Sequence, residues 1–286
     1  MRFGLSVPCF GVGVDAQLIS DWATEAERAG WDGFFVWDHL FAFAPGAVDV
    51  VDPWIGLTAA ACGTRSIRLG TLVTALPRRR PLVVARQTAS LDRLSGGRLI
   101  LGVGTGGGPF EWDFCGEQPD PRVRGDMLDE HLELLTRLWT GDPVHFEGVH
   151  YRVAGPDWSG ICHPPPLQAP RVPIWVGGAW PGGRPFRRAA RWDGVAPIPA
   201  NGSWSLKDTI GLVGRIKKLR SSDAPFDVAV PGVSDPNDDT RHEVAAEHSA
   251  AGATWWIEAL DPWRYGWTEG APWPLSAIRA RIEAGP

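Results

Sequence analysis

Asp38 and His39 form an acid–imidazole pair at the end of a predicted strand, residues 33–37. An imidazole there can exchange a proton near neutral pH, or donate a hydrogen bond to a reacting oxygen or ring nitrogen. The alternative interpretation is structural, with His39 capping the next loop while Asp38 accepts hydrogen bonds from backbone amides. The pair is the candidate catalytic site, and the residue types alone leave both interpretations open.

Glycines follow another predicted strand, residues 98–104. The stretch Gly102–Gly107 matches the pattern G-x-G-x-x-G. It follows the fourth strand instead of the first, and a loop precedes any helix, so it is a weak dinucleotide-binding fingerprint. Gly104, Thr105 and Gly106 can still bring the backbone close to a ring or a phosphate. A tight turn is the alternative interpretation.

Gly177, Gly178 and Ala179 stand at the end of a further predicted strand, residues 172–178. The helix after it carries three arginines, Arg184, Arg187 and Arg188. A helix N-terminus beside positive charge binds anions, so this segment predicts a phosphate site. A second basic cluster, Arg78–Arg80, either meets the acidic tail of a cofactor or forms a solvated surface loop.

Strand-like and helix-like runs alternate along the whole chain. The predicted strands cover residues 2–7, 33–37, 67–74, 98–104, 172–178, 193–198, 226–232 and 253–259. The predicted helices cover Asp15–Ala29, Pro53–Cys62, Pro81–Leu94, Arg122–Trp139, Gly183–Arg191, Ser205–Leu219, Asp238–Ala251 and Pro274–Ala284. Several strands are apolar on both faces, which is typical of parallel strands with helices outside and a packed interior.

This order of elements predicts an α/β fold, a (βα)8 TIM barrel that forms a single domain over residues 1–286. A doubly wound open sheet is the alternative, although it leaves some strands for a second domain. Functional residues of a barrel lie at the carboxyl ends of its strands. We therefore expect Asp38–His39, Leu72–Thr74, Gly104–Gly106 and Gly177–Ala179 to meet at one mouth.

Two insertions interrupt the alternation of strands and helices. Pro109–Pro121 follows strand 4, and Val144–Pro170 lies between helix 4 and strand 5. The second insertion contains a predicted hairpin and a proline-rich stretch. It is longer than the connectors of compact folds, so we expect it to cover part of the barrel mouth.

The composition excludes several classes of protein. Lys and Arg number 28 against 33 Asp and Glu, a net charge of −5, which gives no general attraction to nucleic acid or anionic membranes. No apolar run reaches the roughly 20 residues of a membrane span. The 4 cysteines are scattered and the 7 histidines show no metal-ligand spacing, so we expect a cytoplasmic protein without a metal site.

The strand ends are rich in glycine and aromatic residues and poor in titratable groups. That composition favours a large planar ligand pressed against the backbone over a hydrolase with catalytic carboxylates. The chain also has 16 tryptophans but only 2 tyrosines. We expect indole rings to line a pocket or an interface in addition to the core.

The stretch from Asp52 to Gly106 resembles the bacterial luciferase-like family, which comprises FMN monooxygenases and coenzyme F420-dependent oxidoreductases. Residues 30–40, 124–153 and 173–194 resemble the same family. The resemblance covers nearly the whole chain, and it is specific for the family but not for a substrate.

The resemblance implies a TIM barrel, usually a homodimer, that holds a flavin or deazaflavin ring at its mouth. The cofactor is either reduced FMN, which works with O2, or F420, which exchanges hydride with a small organic substrate. An FMN enzyme would take a flavin reductase as its partner. The sequence leaves the choice of cofactor open, because both cofactors use the same ring-binding elements.

The resemblance also implies roles for individual residues. Asp38 and His39 match the catalytic positions beside the reactive edge of the ring, where His39 handles the proton. The matched cofactor-binding positions are Leu72, Val73, Thr74, Gly104, Thr105, Gly106, Gly177, Gly178 and Ala179. Among them, Leu72–Val73 matches a non-proline cis peptide behind the ring, and Gly177–Ala179 matches the phosphate-binding turn.

Two features bear on the substrate. F420-dependent sugar-phosphate dehydrogenases of the family carry a catalytic glutamate where this chain has Gly107–Gly108, which disfavours sugar-phosphate oxidation by that mechanism. The C-terminal part is rich in tryptophan, namely Trp255, Trp256, Trp263, Trp267 and Trp273. These rings predict an apolar, aromatic substrate wall, although core packing explains some of them.

Two alternatives to a flavin-type oxidoreductase stay open. A non-catalytic barrel could hold a flavin as a sensor or partner subunit. An NAD-dependent dehydrogenase with an open sheet would rest on the weak glycine pattern alone.

Overall fold

Parallel strands and helices alternate along the chain in the computed structural model, which describes residues 1–42, 46–156, 158, 160–235, 241–268 and 271–286. The strands are β1 (Arg2–Val7), β2 (Gly33–Val36), β3 (Arg68–Thr71), β4 (Thr74–Ala75), β5 (Leu99–Gly104), β6 (Phe146–Glu147), β7 (Arg152–Val153), β8 (Ile174–Trp180), β9 (Gly194–Pro199), β10 (Asp227–Gly232) and β11 (Trp255–Ala259). The α-helices are α1 (Ala16–Arg28), α2 (Pro53–Gly63), α3 (Pro81–Leu94), α4 (Pro121–Leu138), α5 (Arg184–Ala189), α6 (Leu206–Leu219), α7 (Arg241–Ala250) and α8 (Leu275–Glu283).

Eight of these strands form a closed parallel barrel in the order β1, β2, β3, β5, β8, β9, β10, β11. The pairings of β1 with β11 and of β3 with β5 complete the ring. The predicted (βα)8 TIM barrel is confirmed, and the alternative of an open doubly wound sheet is wrong. The seventh predicted helix begins at Asp238, but residues 236–240 lie outside the described residues.

Side-chain caps explain where several helices begin. Asp15, Asp52 and Asp120 each accept a hydrogen bond from a backbone N–H in the first turn of α1, α2 and α4. Ser205 and Asp208 form a reciprocal capping box at the start of α6. Caps of this type stabilise a helix by about 1 kcal/mol each and fix the direction in which the chain leaves the barrel.

Aromatic rings fill the barrel interior. Phe35, Trp175 and Trp255 are fully buried, with ring centroids 5.2 to 5.8 Å apart. Gly33 and Gly194 leave the space for them, because a Cβ there would lie 2.6 Å from Phe35 and 2.4 Å from Trp175. Leu72 packs against this cluster. The barrel interior is therefore filled by side chains, and we expect ligands to bind at the carboxyl end of the strands.

The second insertion lies on the flank of the barrel and not over its mouth. Its predicted hairpin is confirmed as β6 and β7, and Glu130 of α4 accepts a hydrogen bond from the backbone of His150. Further on, Gln168 donates to the carbonyl oxygen of Leu99, where β5 begins. These bonds draw the segment towards the amino-terminal end of the barrel strands, so the expected cover of the mouth is wrong.

The first insertion, in contrast, does lie at the mouth. Trp112 is 1% exposed, and the guanidinium carbon of Arg124 lies 4.3 Å from the centroid of its ring. Gly106 has a φ of +75°, and a Cβ there would lie 2.1 Å from Trp112. The close approach of backbone and indole ties the insertion to the end of β5.

None of the described helices is both long and apolar enough to cross a membrane.

Candidate active site

The predicted site residues meet at one end of the barrel, because every barrel strand runs in the same direction. Asp38 and His39 follow β2, and Leu72 and Val73 lie between β3 and β4. The remaining predicted residues lie in or just after β4, β5 and β8: Thr74, Gly104, Thr105, Gly106, Gly177, Gly178 and Ala179. The structure therefore brings the predicted residues to a common mouth, but it gives several of them structural tasks.

His39 lies at the edge of the mouth, with 22% of its side chain exposed. Its Nδ1 is 3.1 Å from Oε1 of Glu111. The rings of Phe10 and Trp37 meet the imidazole at steep angles, with centroids 6.2 and 6.1 Å away. Nδ1 of His39 therefore faces a carboxylate that is itself buried.

Asp38 has a different place from the one predicted for a catalytic residue. Its carboxylate is only 1% exposed, and Arg79 donates to both of its oxygens from Nε and Nη2 at 2.8 Å. Arg78 donates to Oδ1 at 2.9 Å and also to the Asp38 carbonyl. Asp38 is thus neither exposed to a ligand nor bound to backbone amides, and it anchors two arginines. The two interpretations of the basic cluster, a cofactor-tail site and a solvated loop, are both wrong for Arg78 and Arg79.

Glu111 is a residue of the site that the sequence does not predict. Its Oε1 accepts the backbone N–H of Leu40 at 2.6 Å, and its Oε2 accepts Nη1 of Arg78 at 2.7 Å. Burial opposes ionisation, but the hydrogen bond from His39, the charge of Arg78 and the Leu40 N–H together lower the pKa of Glu111 to about 2. A carboxylate flanked by two aromatic residues in a loop is the signal that points to a buried position.

The break between β3 and β4 forms the floor of the mouth. The Leu72–Val73 peptide is cis, as the resemblance implies, and both side chains are half-buried. Gly104 and Gly177 flank Val73, because a Cβ on either would lie 2.8 or 2.7 Å from its methyl groups. These two glycines make room for Val73, and Thr74 is fully buried below it. The half-buried Leu72 and Val73 offer an apolar floor for a flat ring.

The end of β8 leaves one edge of the strand unpaired. Its pairing with β5 ends at Val176, whereas its pairing with β9 continues to Trp180. Within the described residues, the edge of β8 that faces β5 is therefore unpaired from Gly177 to Trp180. The predicted strand ends too early, at Gly178, because the ladder with β9 extends it. Ala179 is exposed on this edge.

Gly178 and Arg188 hold the loop after β8 in place. A Cβ on Gly178 would lie 2.3 Å from Cβ of Pro185, so the position accepts no side chain. Arg188 is buried and donates to both carboxylate oxygens of Asp129, at 2.8 and 2.7 Å. Its predicted part in a phosphate site is wrong, whereas the side chains of Arg184 and Arg187 are exposed.

Aromatic rings form one wall of the mouth. Phe10 lies 5.9 Å from Trp37, 6.4 Å from Trp263 and 6.0 Å from Trp273 between ring centroids. Trp267 lies 4.9 Å from Trp273 and completes the group. These five residues, Phe10, Trp37, Trp263, Trp267 and Trp273, are called the aromatic wall below.

The other two tryptophans of the predicted wall belong to the core. Trp255 lies inside the barrel, and Trp256 packs against His248 with ring centroids 5.5 Å apart. The described residues also contain no group of three or more His, Cys, Asp or Glu that could hold a metal ion.

Comparison with known proteins identifies the family. A sequence model described as luciferase-like monooxygenase matches residues 1–274. An F420-dependent glucose-6-phosphate dehydrogenase of Nakamurella multipartita is 36% identical over 184 residues, 63% of this chain and 51% of that protein. The protein of the same name from Microbacterium testaceum is 32% identical over 188 residues, 63% of this chain and 52% of that protein. The match spans about half the length of these relatives.

Solved structures agree on the fold. The coenzyme F420-dependent tetrahydromethanopterin reductase of Methanopyrus kandleri superposes with a TM-score of 0.74 at 19% identity, over 99% of this chain and 96% of that chain. A monooxygenase of Streptomyces bottropensis superposes with a TM-score of 0.72 at 21% identity, over 99% and 98%. Because the family model matches residues 1–274 of the 286 in this chain, the chain belongs to the luciferase-like monooxygenase family of flavin- and F420-dependent oxidoreductases.

Proposed function

We propose that this chain is an F420-dependent oxidoreductase that exchanges hydride between its cofactor and a neutral, largely apolar organic substrate. The observation that carries the proposal is His39, half-buried at the mouth and bound to an ionised Glu111. The choice of F420 over FMN is supported by relatives named F420-dependent that are 36% and 32% identical to this chain.

The residues at the mouth fit a flat ring with an anionic tail. Leu72 and Val73 would form the floor under the ring, and Thr105 and Gly106 lie half-buried beside it. The unpaired edge of β8 at Ala179, with the exposed Arg184 and Arg187 nearby, would hold a phosphate. When bound, the cofactor would supply the hydride acceptor or donor.

His39 moves the proton that accompanies the redox change. In substrate oxidation, the imidazole of His39 takes the proton that a hydroxyl group loses, and in reduction it returns a proton to the developing oxygen. The aromatic wall beside His39 keeps water from the reacting atoms and orients an apolar substrate. Asp38 acts from a distance, by holding Arg78 and Arg79 in place.

The charges at the mouth support a neutral substrate. Arg78 is bound to Asp38 and Glu111, and Arg79 is bound to Asp38. Both guanidinium groups are therefore committed to carboxylates, and neither is left to bind the phosphate of a sugar phosphate. By the resemblance described above, Gly107 and Gly108 stand where the sugar-phosphate dehydrogenases carry their glutamate, which supports the same conclusion.

A titration tests the cofactor. Purified protein is titrated with F420 and, separately, with FMN, in oxidised and reduced forms under anaerobic conditions, and cofactor fluorescence or absorbance is followed. Tight binding of F420 with weak binding of FMN supports the proposal. Preferred binding of reduced FMN overturns it in favour of oxygen insertion with a flavin reductase as partner. Binding of neither overturns the cofactor site and favours a non-catalytic barrel.

A pair of variants locates the phosphate site in the same titration. Ala179→Glu places a carboxylate on the unpaired edge of β8, and Ala179→Gln adds a side chain of nearly equal size without charge. We expect the charged variant to weaken F420 binding at least about tenfold more than the neutral one. Equal affinities would place the phosphate elsewhere.

The homodimer implied by the resemblance is also part of the proposal. Helix α2 (PWIGLTAAACG) carries few polar side chains, and Ile55 is 60% exposed on its outer side. Leu82 and Val83 are exposed on the neighbouring α3. Light scattering on a size-exclusion column measures the mass, and Ile55→Glu should convert a dimer to a monomer if this face is the interface.

A further inference from the structure

We infer that Glu111 is the positioning residue of the site: it fixes His39 in the Nδ1–H tautomer and thereby assigns proton exchange to Nε2. The inference rests on the proposed function, in which His39 moves a proton. It adds a residue, and a state of the imidazole, that the resemblance to the family does not supply.

The hydrogen bonds of Glu111 determine the tautomer. Oε1 receives the Leu40 N–H at 2.6 Å and faces Nδ1 of His39 at 3.1 Å, while Oε2 receives Arg78. An ionised carboxylate can only accept hydrogen bonds. The contact with His39 is therefore favourable only when Nδ1 carries the proton, and in a neutral imidazole Nε2 then holds the lone pair.

The surrounding charges keep Glu111 ionised. Arg78 bridges Glu111 and Asp38, and Arg79 binds Asp38, so two carboxylates are balanced by two guanidinium groups. The pKa of Glu111, lowered to about 2, agrees with this arrangement. Within this cluster His39 has the most exposed side chain, at 22%, so the buried charges act on an imidazole that reaches the mouth.

Packing prevents Glu111 from moving away. Trp112, the next residue, is held between Gly106 and the guanidinium group of Arg124. Arg124 in turn donates to the carbonyl of Thr105 at 3.1 Å. The carboxylate is therefore attached to a rigid part of the insertion, which is what a positioning residue requires.

The variant Glu111→Gln tests the tautomer directly. An amide has one accepting oxygen and one donating NH2 group, but Arg78 and the Leu40 N–H both need an acceptor. If the amide oxygen turns to the strong donor Arg78, the NH2 group faces His39 and donates to Nδ1, and the Leu40 N–H loses its acceptor. The neutral ring must then carry its proton on Nε2, so the substitution exchanges the tautomer.

Nuclear magnetic resonance of the protein labelled with 15N at the histidine ring nitrogens reads the tautomer of each of the 7 histidines. Spectra are recorded in alkaline buffer without cofactor or substrate, and His39→Gln assigns the His39 signal. We expect the Nδ1–H form in the unmodified protein and mainly the Nε2–H form in Glu111→Gln. The matched control is Asp113→Asn, an exposed carboxylate of the same insertion, which should change nothing.

Two results would overturn the inference: an Nε2–H form of His39 in the unmodified protein, or an unchanged tautomer in Glu111→Gln. The first is decisive even if the variant does not fold. Neither depends on the cofactor titration, so failure of the inference and failure of the proposed function are separate observations. With the cofactor bound, Glu111→Gln should lower kcat about 10- to 100-fold relative to Asp113→Asn, with a smaller change in KM.

Discussion

Two buried glutamates, Glu111 and Glu258, occupy similar charged clusters in different parts of the barrel. Glu258 on β11 accepts hydrogen bonds from Arg264 at 2.5 Å, Arg281 at 3.3 Å and Nε1 of Trp256 at 2.9 Å. It also accepts from the backbone and hydroxyl of Ser234. Each glutamate is thus fully committed to donors, so burial and pairing alone do not distinguish a site from a structural cluster.

The difference lies in where the two clusters end. The arginines around Glu258 continue to main-chain acceptors: Arg264 donates to the carbonyls of Ala259 and Ser234, and Arg281 to that of Gly285. The cluster around Glu111 ends in the imidazole of His39 at the mouth. A charged cluster whose remaining hydrogen bonds go to main-chain carbonyls stabilises the fold. A cluster that includes a partly exposed titratable ring can also influence the protonation of that ring and its contact with a ligand.

The largest expected effect is on turnover, and it comes from His39, the exposed member of the Glu111 cluster. His39→Ala should lower kcat by a factor of roughly 10² to 10⁴, because general acid–base catalysis contributes about that much. Affinity for the cofactor should change little, since the imidazole lies at the edge of the proposed ring site. Steady-state kinetics with the best substrate from a screen of neutral alcohols, enones and imines measures the first quantity, and cofactor titration the second. Unchanged turnover would remove His39 from the mechanism.

Substitutions in the Glu258 cluster should lower the free energy of unfolding instead. Glu258→Gln removes the charge that faces the guanidinium groups of Arg264 and Arg281, whose side chains are 12% and 4% exposed, so we expect a loss of about 3 to 5 kcal/mol in the free energy of unfolding. Glu111→Gln should cost less, because Arg78 keeps Asp38 as its partner. Urea denaturation measures both variants. The control is Glu133→Gln, which breaks an exposed pair with Arg137 and should cost under about 1 kcal/mol. A larger loss for Glu111→Gln than for Glu258→Gln would contradict the comparison.

The same contrast explains how far the sequence predicts the molecule. The alternation of apolar runs and capped helices is local, so the eight units and the closed barrel are predictable from residues close in the chain. The pair Asp38–His39 is also recognisable, because it follows directly after a buried strand. Its partners are not recognisable: Glu111 lies 72 residues beyond His39, and Arg78 lies 33 residues before Glu111.

Wrong expectations share this cause. A strand end depends on its neighbours, so β8 runs on to Trp180 along β9, although its own sequence indicates an end at Gly178. The direction of the second insertion depends on Gln168 and its contact with the start of β5. From the sequence, Arg78 and Arg79 are expected to be exposed or to bind a ligand, because the sequence does not show that Asp38 and Glu111 face them. Each error concerns a contact between distant residues, which periodicity does not encode.

A third buried titratable group extends the comparison, because none of the described carboxylates pairs with it. His131 on α4 is fully buried beside Tyr151, with ring centroids 5.4 Å apart. Burial lowers the pKa of His131 to about 3, although a contact with the backbone of Leu76 opposes the shift. The folded state thus keeps His131 neutral, while the unfolded chain takes up a proton below its ordinary pKa of about 6.5.

Stability should therefore fall as the pH drops below about 6.5, and this loss should amount to about 2 kcal/mol near pH 5. In His131→Leu the decrease in unfolding free energy between neutral pH and pH 5 should be smaller by that amount. Urea denaturation at both pH values measures it, with the exposed His242→Leu as control. An equal decrease in His131→Leu and the unmodified protein would contradict the assignment.

The smallest expected effect concerns the rings beside the Glu111 cluster. Trp263 is the most exposed residue of the aromatic wall, at 41%, and its ring packs against that of Phe10, which is buried. Trp263→Ala should raise KM for a bulky neutral substrate about tenfold, since lost apolar contact of this size is worth about 1 to 2 kcal/mol. Trp263→Phe keeps an aromatic surface and should restore most of the affinity.

Because the wall acts on the apolar part of a substrate and His39 acts on its reacting oxygen, the two effects should separate. Trp263→Ala should leave kcat and the KM of the smallest homologue that the enzyme accepts nearly unchanged, whereas His39→Ala lowers kcat for every substrate. A fall in kcat of similar size for small and large substrates in Trp263→Ala would mean that the ring supports His39 instead of binding substrate. The aromatic wall would then belong with the Glu111 cluster, because both would hold the imidazole of His39 in place. The surface that binds the apolar part of the substrate would have to lie elsewhere at the mouth, on the side of β9 and β10.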